Sequence, residues 1–328
     1  IKKDFPANFF FYDFDFGVVT LCKIPGISSI LSRYEKSIQP DCVVTTSGPS
    51  YWRSEAPHLM GFNLGMYIYH DSPYFETISL YRRWRIAVKR RIHYWFFKRD
   101  ATAFIVQTED VNRRLKKALR TEHVHTVSNT YNGFYNDAKE YDLKLPPKKD
   151  GEIRFLTLTS YYRHKNIEII PEVIRELNKR GHPSVRFLLT LEPSTFDRVF
   201  KAMDTKGMIN VGPVRPEECP TLYRNSDYMF LPSLAECFSA SYPEAMVMRK
   251  PIITTDLPFA RSICGDAALY YKPMDGVNAA AVIGNLLENE RMHNTLVENG
   301  LRRLKNFNSA EERAGRILQI CEEMVNHA

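Results

Sequence analysis

The chain has no apolar stretch long enough to cross a bilayer, no paired cysteine spacing and no cluster of cysteines with histidines. The first absence excludes a membrane-spanning helix, which needs about 20 consecutive apolar residues. Even the aromatic run over 9–16 is broken by Asp13 and Asp15. The other two argue against a disulfide scaffold and a zinc site, because Cys22, Cys42, Cys219, Cys237, Cys264 and Cys321 are scattered along the chain. Such cysteine usage fits a reducing, cytoplasmic setting. Internal repeats and low-complexity runs are also missing, and no glycine-rich strand–turn–helix opens the N-terminal part.

What is present is an ordinary globular composition, 44% hydrophobic and 25% charged, over 328 residues. That length suits two domains, each able to bury its own core. The net charge of +7 is concentrated in one place: residues 81–99 hold eight Lys or Arg and no acid, and the rest of the chain carries 37 basic against 38 acidic side chains.

The second half alternates strand and helix patterns, as a parallel sheet covered on both faces requires. Strands are expected over 153–159, 185–191, 208–211, 228–231, 252–255 and 268–271, with a helix over 167–180 after the first. The first half is less regular. It reads as a helix over 27–38, a strand over 41–46 ending in a turn at 47–50, a strand over 65–69 stopping at His70 and Asp71, and strands over 104–107 and 124–127. The stretch 145–151, LPPKKDG, has the composition of an interdomain linker.

The densest chemistry lies in LAECFSASYPEAM, 234–246, where Glu236 and Glu244 stand eight positions apart across a strand-to-helix turn. Ser241 followed by Glu244 has capping-box spacing, and Pro243 suits the first turn. The loop 237–240 would then lie at a helix N-terminus, where free N–H groups receive a diphosphate or sugar hydroxyls. A plain helix cap with a solvated loop acid explains the spacing about as well.

The flanking residues favour a ligand site. From VGPVRPEECPTLYRNSD through the glutamate pair to KPIITTDL and ALYY, the chain resembles the family 4 retaining glycosyltransferases of GT-B architecture, the group 1 glycosyltransferases, over roughly 153–307. The resemblance implies an α/β fold of two Rossmann-like domains with a donor cleft between them: 1–147 on the acceptor side, 148–307 binding a nucleotide sugar, and a helix over 308–328 able to cross back to the first. The family's glycine-rich opening is absent and residue 1 is Ile, so the simplest expectation is a first domain lacking its initial strand–helix–strand portion.

Matched residue by residue, the resemblance gives Glu236 to the donor sugar and Glu244 to the ribose hydroxyls, with Phe238, Ser239 and Ala240 offering backbone N–H groups. In SYYRHKN, 160–166, Lys165 matches the lysine that neutralises the diphosphate. Ser160 stands where the family has arginine, and Arg163 in the same loop is the substitute. Gly212 and Val214 match the loop that reads the base. His70 matches a histidine near the donor sugar, although a lone histidine is as often structural. Glu236, Lys165 and His70 are thus the expected catalytic set.

In the basic segment Tyr81, Trp84, Val88, Ile92 and Trp95 form one stripe at helical spacing. Such a helix either lies on an anionic bilayer or packs its stripe into the first domain. The combined expectation is a metal-independent hexosyltransferase without cofactor, moving sugar from a nucleoside-diphosphate donor to a glycan or lipid-linked acceptor. It would work in the cytoplasm, at the inner membrane face if the basic helix binds there, in polysaccharide biosynthesis and without nucleic acid. An epimerase or hydrolase of the same fold, or a non-catalytic nucleotide-sugar-binding scaffold, are the alternatives.

Overall fold

A computed structural model of the chain describes residues 5–6, 8–137 and 139–327. In the first half, α1 (Ile24–Ile38), β1 (Val43–Thr45), β2 (His58–Gly61), α2 (Gly65–Ile68), α3 (Leu80–Asp100), β3 (Ala103–Val106), α4 (Glu109–Leu119) and β4 (Val124–Thr126) succeed one another. The four strands form a parallel sheet in sequential order, β1-β2-β3-β4.

The second half contains β5 (Ile153–Thr157), α5 (Ile170–Lys179), β6 (Val185–Leu189), α6 (Pro193–Phe200), β7 (Met208–Asn210), α7 (Cys219–Arg224), β8 (Tyr228–Leu231), α8 (Ser241–Val247), β9 (Ile252–Thr255), α9 (Pro258–Cys264), β10 (Ala268–Tyr271), α10 (Gly276–Leu287) and α11 (Glu290–Leu304). Its six strands are all parallel, in the order β10-β9-β8-β5-β6-β7. The chain is therefore α/β with two parallel sheets.

Strand and helix assignments follow from burial. β8 is a continuous apolar run, YMFL, because both faces of its sheet are covered, and Met229 and Phe230 are inaccessible, as is Leu156 in β5, where only the paired Arg154 and the bonded Thr157 break the run. α5 buries Ile170, Val173, Ile174 and Leu177, the one-face spacing of an amphipathic helix, against a core that includes Phe155, Phe187 and Ile283. Threonines tie the strands further, as in Thr157 Oγ1 donating to the Phe230 carbonyl at 2.9 Å. The connector over 145–151 is bound, since the buried Arg154 pairs with Glu152 at 2.5 Å and donates to the Pro146 carbonyl at 2.8 Å.

The last helix, α12 (Ala310–Asn326), lies on the first sheet. Its Ile320 and Cys321 cluster with Leu59, Ala103, Ile105 and Val127, and Asn308 exchanges hydrogen bonds with Ser128 at its approach. Among the described residues no helix is long and apolar enough to cross a membrane.

One expectation for the strands of the first half needs correction. Residues 65–69 are a helical turn, and the second strand is His58–Gly61 instead. A five-residue apolar run does not distinguish strand from helix by periodicity, and His58 and Gly61 dilute the signal of the true strand. Gly61 is required there: a Cβ would lie 2.1 Å from the Thr46 carbonyl oxygen of the adjoining chain.

Of the two arrangements open for α3, the stripe is not packed into the first domain. The stripe Tyr81, Trp84, Val88 and Trp95 is exposed, and the helix packs through Phe96 and Phe97, with Ile86 and Tyr94 partly covered. The helix thus has two apolar sides, and only one faces the core.

Candidate functional site

The second sheet reverses its strand order once. β5, β6 and β7 run one way and β8, β9 and β10 the other, making β5 and β8 neighbours at the switch point. Loops leaving such a pair diverge and open a crevice outside the strand ends, where ligands gather in parallel α/β sheets. Here those loops are 158–166 and 232–240, which carry the two motifs singled out above. They are joined by the Leu234 amide donating to the His164 carbonyl at 2.7 Å.

Lys165 Nζ lies 2.5 Å from Glu236 Oε1, with side chains 15% and 12% exposed. Oε1 accepts no aligned hydrogen bond, so the contact is an ion pair. Burial is the main influence on the neighbouring His164, pushing its pKa down and favouring the neutral ring.

Glu236 opens onto a cleft of about 740 Å³ between the halves, lined by Asn63, Gly65 and Tyr67 from the first and by Arg163, His164, Phe238 and Ala240 from the second. The halves meet at its edge. Ser72 Oγ donates to the Leu234 carbonyl at 2.6 Å, and Arg163 Nη2 donates to that of Thr77 at 2.6 Å. A Cβ on Gly65 would come within 3.2 Å of the Glu236 backbone, so glycine lets α2 approach the motif loop.

Glu244 faces a second cavity of about 540 Å³, lined also by Tyr135, Thr159, Ser160, Tyr161, Thr190, Arg198, Pro213 and Val214. The cavities adjoin, since residues 160–161 line one and 162–164 the other. Gly212, at φ +78°, turns the chain so that Pro213 and Val214 reach the wall. The Tyr223 hydroxyl donates to Glu244 Oε2 at 3.2 Å, and Tyr135 hydrogen-bonds the same carboxyl.

Burial raises the Glu244 pKa, and both tyrosine hydrogen bonds oppose the rise. A raised carboxyl pKa favours the fold below the ordinary carboxylate range. That contribution is lost as pH rises through the raised value.

The capping box is not formed. Ala240 occupies the N-cap without a side-chain bond, Ser241 is already helical, and Glu244 turns to the tyrosines instead. The amides of Phe238, Ser239 and Ala240 donate to no acceptor among the described residues. Phe238 and Ala240 line the cleft, while Ser239 is buried.

His70 lies elsewhere. It lines a groove between α3 and α4 with Asp71, Arg113, Arg114 and Lys117, because α2 is a helical turn that carries the chain away from the strand end. The position at the end of β2 that does face the cleft is Asn63. Sequence reasoning missed it together with Tyr135, Arg198, His164 and Gln107. His164 alone had a signal, its place inside the lysine loop.

Two parallel α/β units enclosing a cleft with a lysine–glutamate pair at a switch point define a GT-B architecture. The chain belongs to the group 1 glycosyltransferases, whose family model, "Glycosyl transferases group 1", matches residues 139–303. It is thus a glycosyltransferase.

The fold is similar to that of a glycosyltransferase from Rickettsia africae, with TM-score 0.71 and 15% identity over 97% of this chain and 85% of that one. Sucrose-phosphate synthase from Thermosynechococcus elongatus has TM-score 0.71 and 14% identity, covering 93% of this chain and 79% of its own. HepE of Anabaena, in complex with UDP and glucose, has TM-score 0.66 and 16% identity, covering 91% and 82%. No curated protein matches the sequence.

Proposed function

We propose that the chain is a retaining hexosyltransferase of family 4 type that takes sugar from a nucleoside-diphosphate donor and passes it to a hydroxyl of a glycan or lipid-linked acceptor, in polysaccharide biosynthesis. One observation carries the reading: Glu236, paired with Lys165, and Glu244 line adjoining cavities on either side of the 160–163 loop. The nucleoside end of a donor fits the Glu244 cavity and its sugar the Glu236 cleft. The diphosphate then crosses between them, along the free amides of 238–240.

In that arrangement Glu244 accepts from vicinal ribose hydroxyls, each charge-assisted bond worth about 1.5–3 kcal/mol. Glu236 orients the sugar. Lys165 supplies positive charge where the departing diphosphate develops negative charge, so this reading needs neither metal nor cofactor. Arg198, on the wall of the nucleoside cavity, provides a further cation that partly answers Ser160. The acceptor oxygen attacks the anomeric carbon on the face from which the diphosphate leaves. The anomeric carbon–oxygen bond breaks, and the hydroxyl proton passes to the departing phosphate oxygen. No protein nucleophile is required.

The reading assigns 1–147 to the acceptor side, 148–307 to the donor and 308–328 to a clasp between them. The exposed aromatics and cations of α3 support contact with an anionic membrane at its cytoplasmic face.

Transfer from a panel of UDP-, GDP- and ADP-sugars tests the site. Lys165→Ala is expected to lower turnover by about 10²–10³-fold, and Glu244→Ala to weaken donor binding by about 10–100-fold. Near-normal transfer by both folded variants would contradict the assignment.

A further inference from the structure

α12 follows α11 of the second half and then crosses the first sheet. At its approach Asn308 bonds Ser128, just past the end of β4. Farther along, Cys42, the residue before β1, packs against the cluster that holds Cys321. β1 and β4 are the two edges of that sheet. With neighbouring strands about 4.8 Å apart, the edges are about 14 Å from each other, and the helical rise from Ser309 to Cys321 is about 18 Å. The helix therefore runs from one corner of the sheet to the opposite one.

Of its 17 residues, Ile320 and Cys321 are the buried ones, so little apolar area holds the helix in place. The Cys321 side chain hydrogen-bonds that of Cys42, and burial together with this bond pushes its pKa up to about 12. Both thiols are free, Cys42 half-buried and Cys321 8% exposed. We propose that Cys42 and Cys321 are a reversible disulfide site, whose closure fastens α12 to the first sheet.

The oxidant is a small disulfide of the glutathione class. Cys42, the more accessible thiol, loses its proton and attacks one glutathione sulfur, and the first glutathione leaves as thiolate. Cys321 then gives up its proton, attacks the Cys42 sulfur and expels the second. Two cysteine thiols are oxidised, one glutathione disulfide becomes two glutathione thiols, and the two protons end on the departing sulfurs. Burial keeps Cys321 protonated and out of reach of a bulky disulfide, so it acts second. A bond between residues 42 and 321 closes nearly the whole chain into one loop, which restricts the undocked helix strongly. The chain passes between the halves at 145–151 and again ahead of α12, so the bond adds a third covalent tie between them.

Incubation of the full chain in mixtures of oxidised and reduced glutathione tests the proposal, read by peptide mapping without reduction and by amide hydrogen exchange. The expected product is a monomer with two thiols fewer and one cross-link, between Cys42 and Cys321. Exchange of the α12 amides should slow about tenfold or more in that product and recover in dithiothreitol. Cys42→Ser, at the half-buried position, should abolish both the cross-link and the slowing.

The wild-type map settles the pairing even if Cys42→Ser misfolds. Retention of both thiols in excess oxidised glutathione would overturn the site, as would glutathione held on Cys42 without a cross-link. A cross-link from either cysteine to the exposed Cys22, or to a second chain, would overturn it as well. A bond between Cys42 and Cys321 that leaves α12 exchange unchanged would overturn the fastening. Slowing that persists in Cys42→Ser would assign it to another oxidised group and do the same.

Discussion

The two halves of the molecule treat apolar surface differently. In the second half the sheet is covered on both faces, and its exposed large apolar side chains, such as Tyr162, Met203 and Met274, are scattered. The first half has a comparable core under its sheet, where Met60, Phe97 and Phe104 are buried, but it also leaves a second apolar surface in the open. Phe9, Phe10, Val18, Leu21, Tyr81, Trp84 and Trp95 are all exposed there, and Leu21 and Trp84 line one groove. The contrast matches a division of labour. The proposed donor site is built from motif loops at strand ends, and the proposed membrane contact would use the aromatic side chains left exposed on α3.

The largest expected effect sharpens the comparison within a single helix. Phe97→Ala, on the buried side of α3, should cost about 3–5 kcal/mol in urea unfolding, the usual range for removing a core aromatic ring. A loss under 1 kcal/mol would mean that this side is not core.

A buried histidine tests the first-half core separately. Burial lowers the His58 pKa to about 4, and its Nε2 lies 2.7 Å from Thr45 Oγ1. The fold therefore holds the ring neutral, and its contribution is complete above the unfolded value near 6.5. That contribution is lost as pH falls toward 4, on the order of 2 kcal/mol. The pH 5 minus pH 7 difference in unfolding free energy should shrink in His58→Asn. An unchanged difference would contradict the burial.

The smallest effect lies on the other side of α3. Trp84→Ser should change stability by less than about 0.5 kcal/mol, since the ring is exposed. A larger loss would show that the ring is covered in solution and would remove the contrast.

The same division decides how much was legible in the sequence. β8, β9 and β10 fall on the expected residues because short apolar runs bounded by turns are the pattern of buried parallel strands. The motif loops were legible for the same reason, each following such a strand.

In the first half, β2 was obscured by His58 and Gly61, and the apolar run after it suggested a strand that is a helical turn. His70 was misplaced by that one error, and Asn63 was missed. Tyr135 and Arg198 reach the Glu244 cavity from segments far apart in sequence, where no spacing could connect them. The capping box is absent because Ala240 rather than Ser241 takes the N-cap, and Glu244 bonds Tyr135 and Tyr223 instead. The α3 stripe had correct periodicity, but periodicity alone does not say which of two apolar sides meets the core.

The most direct test of the donor site is calorimetric titration of UDP, GDP and ADP against the wild-type chain and Glu244→Ala. One nucleotide should bind the wild type saturably, and its affinity should fall at least tenfold in the variant while the fold is retained. Equal affinity in the two proteins, or no binding of any of the three, would contradict a donor site at the β5–β8 switch point.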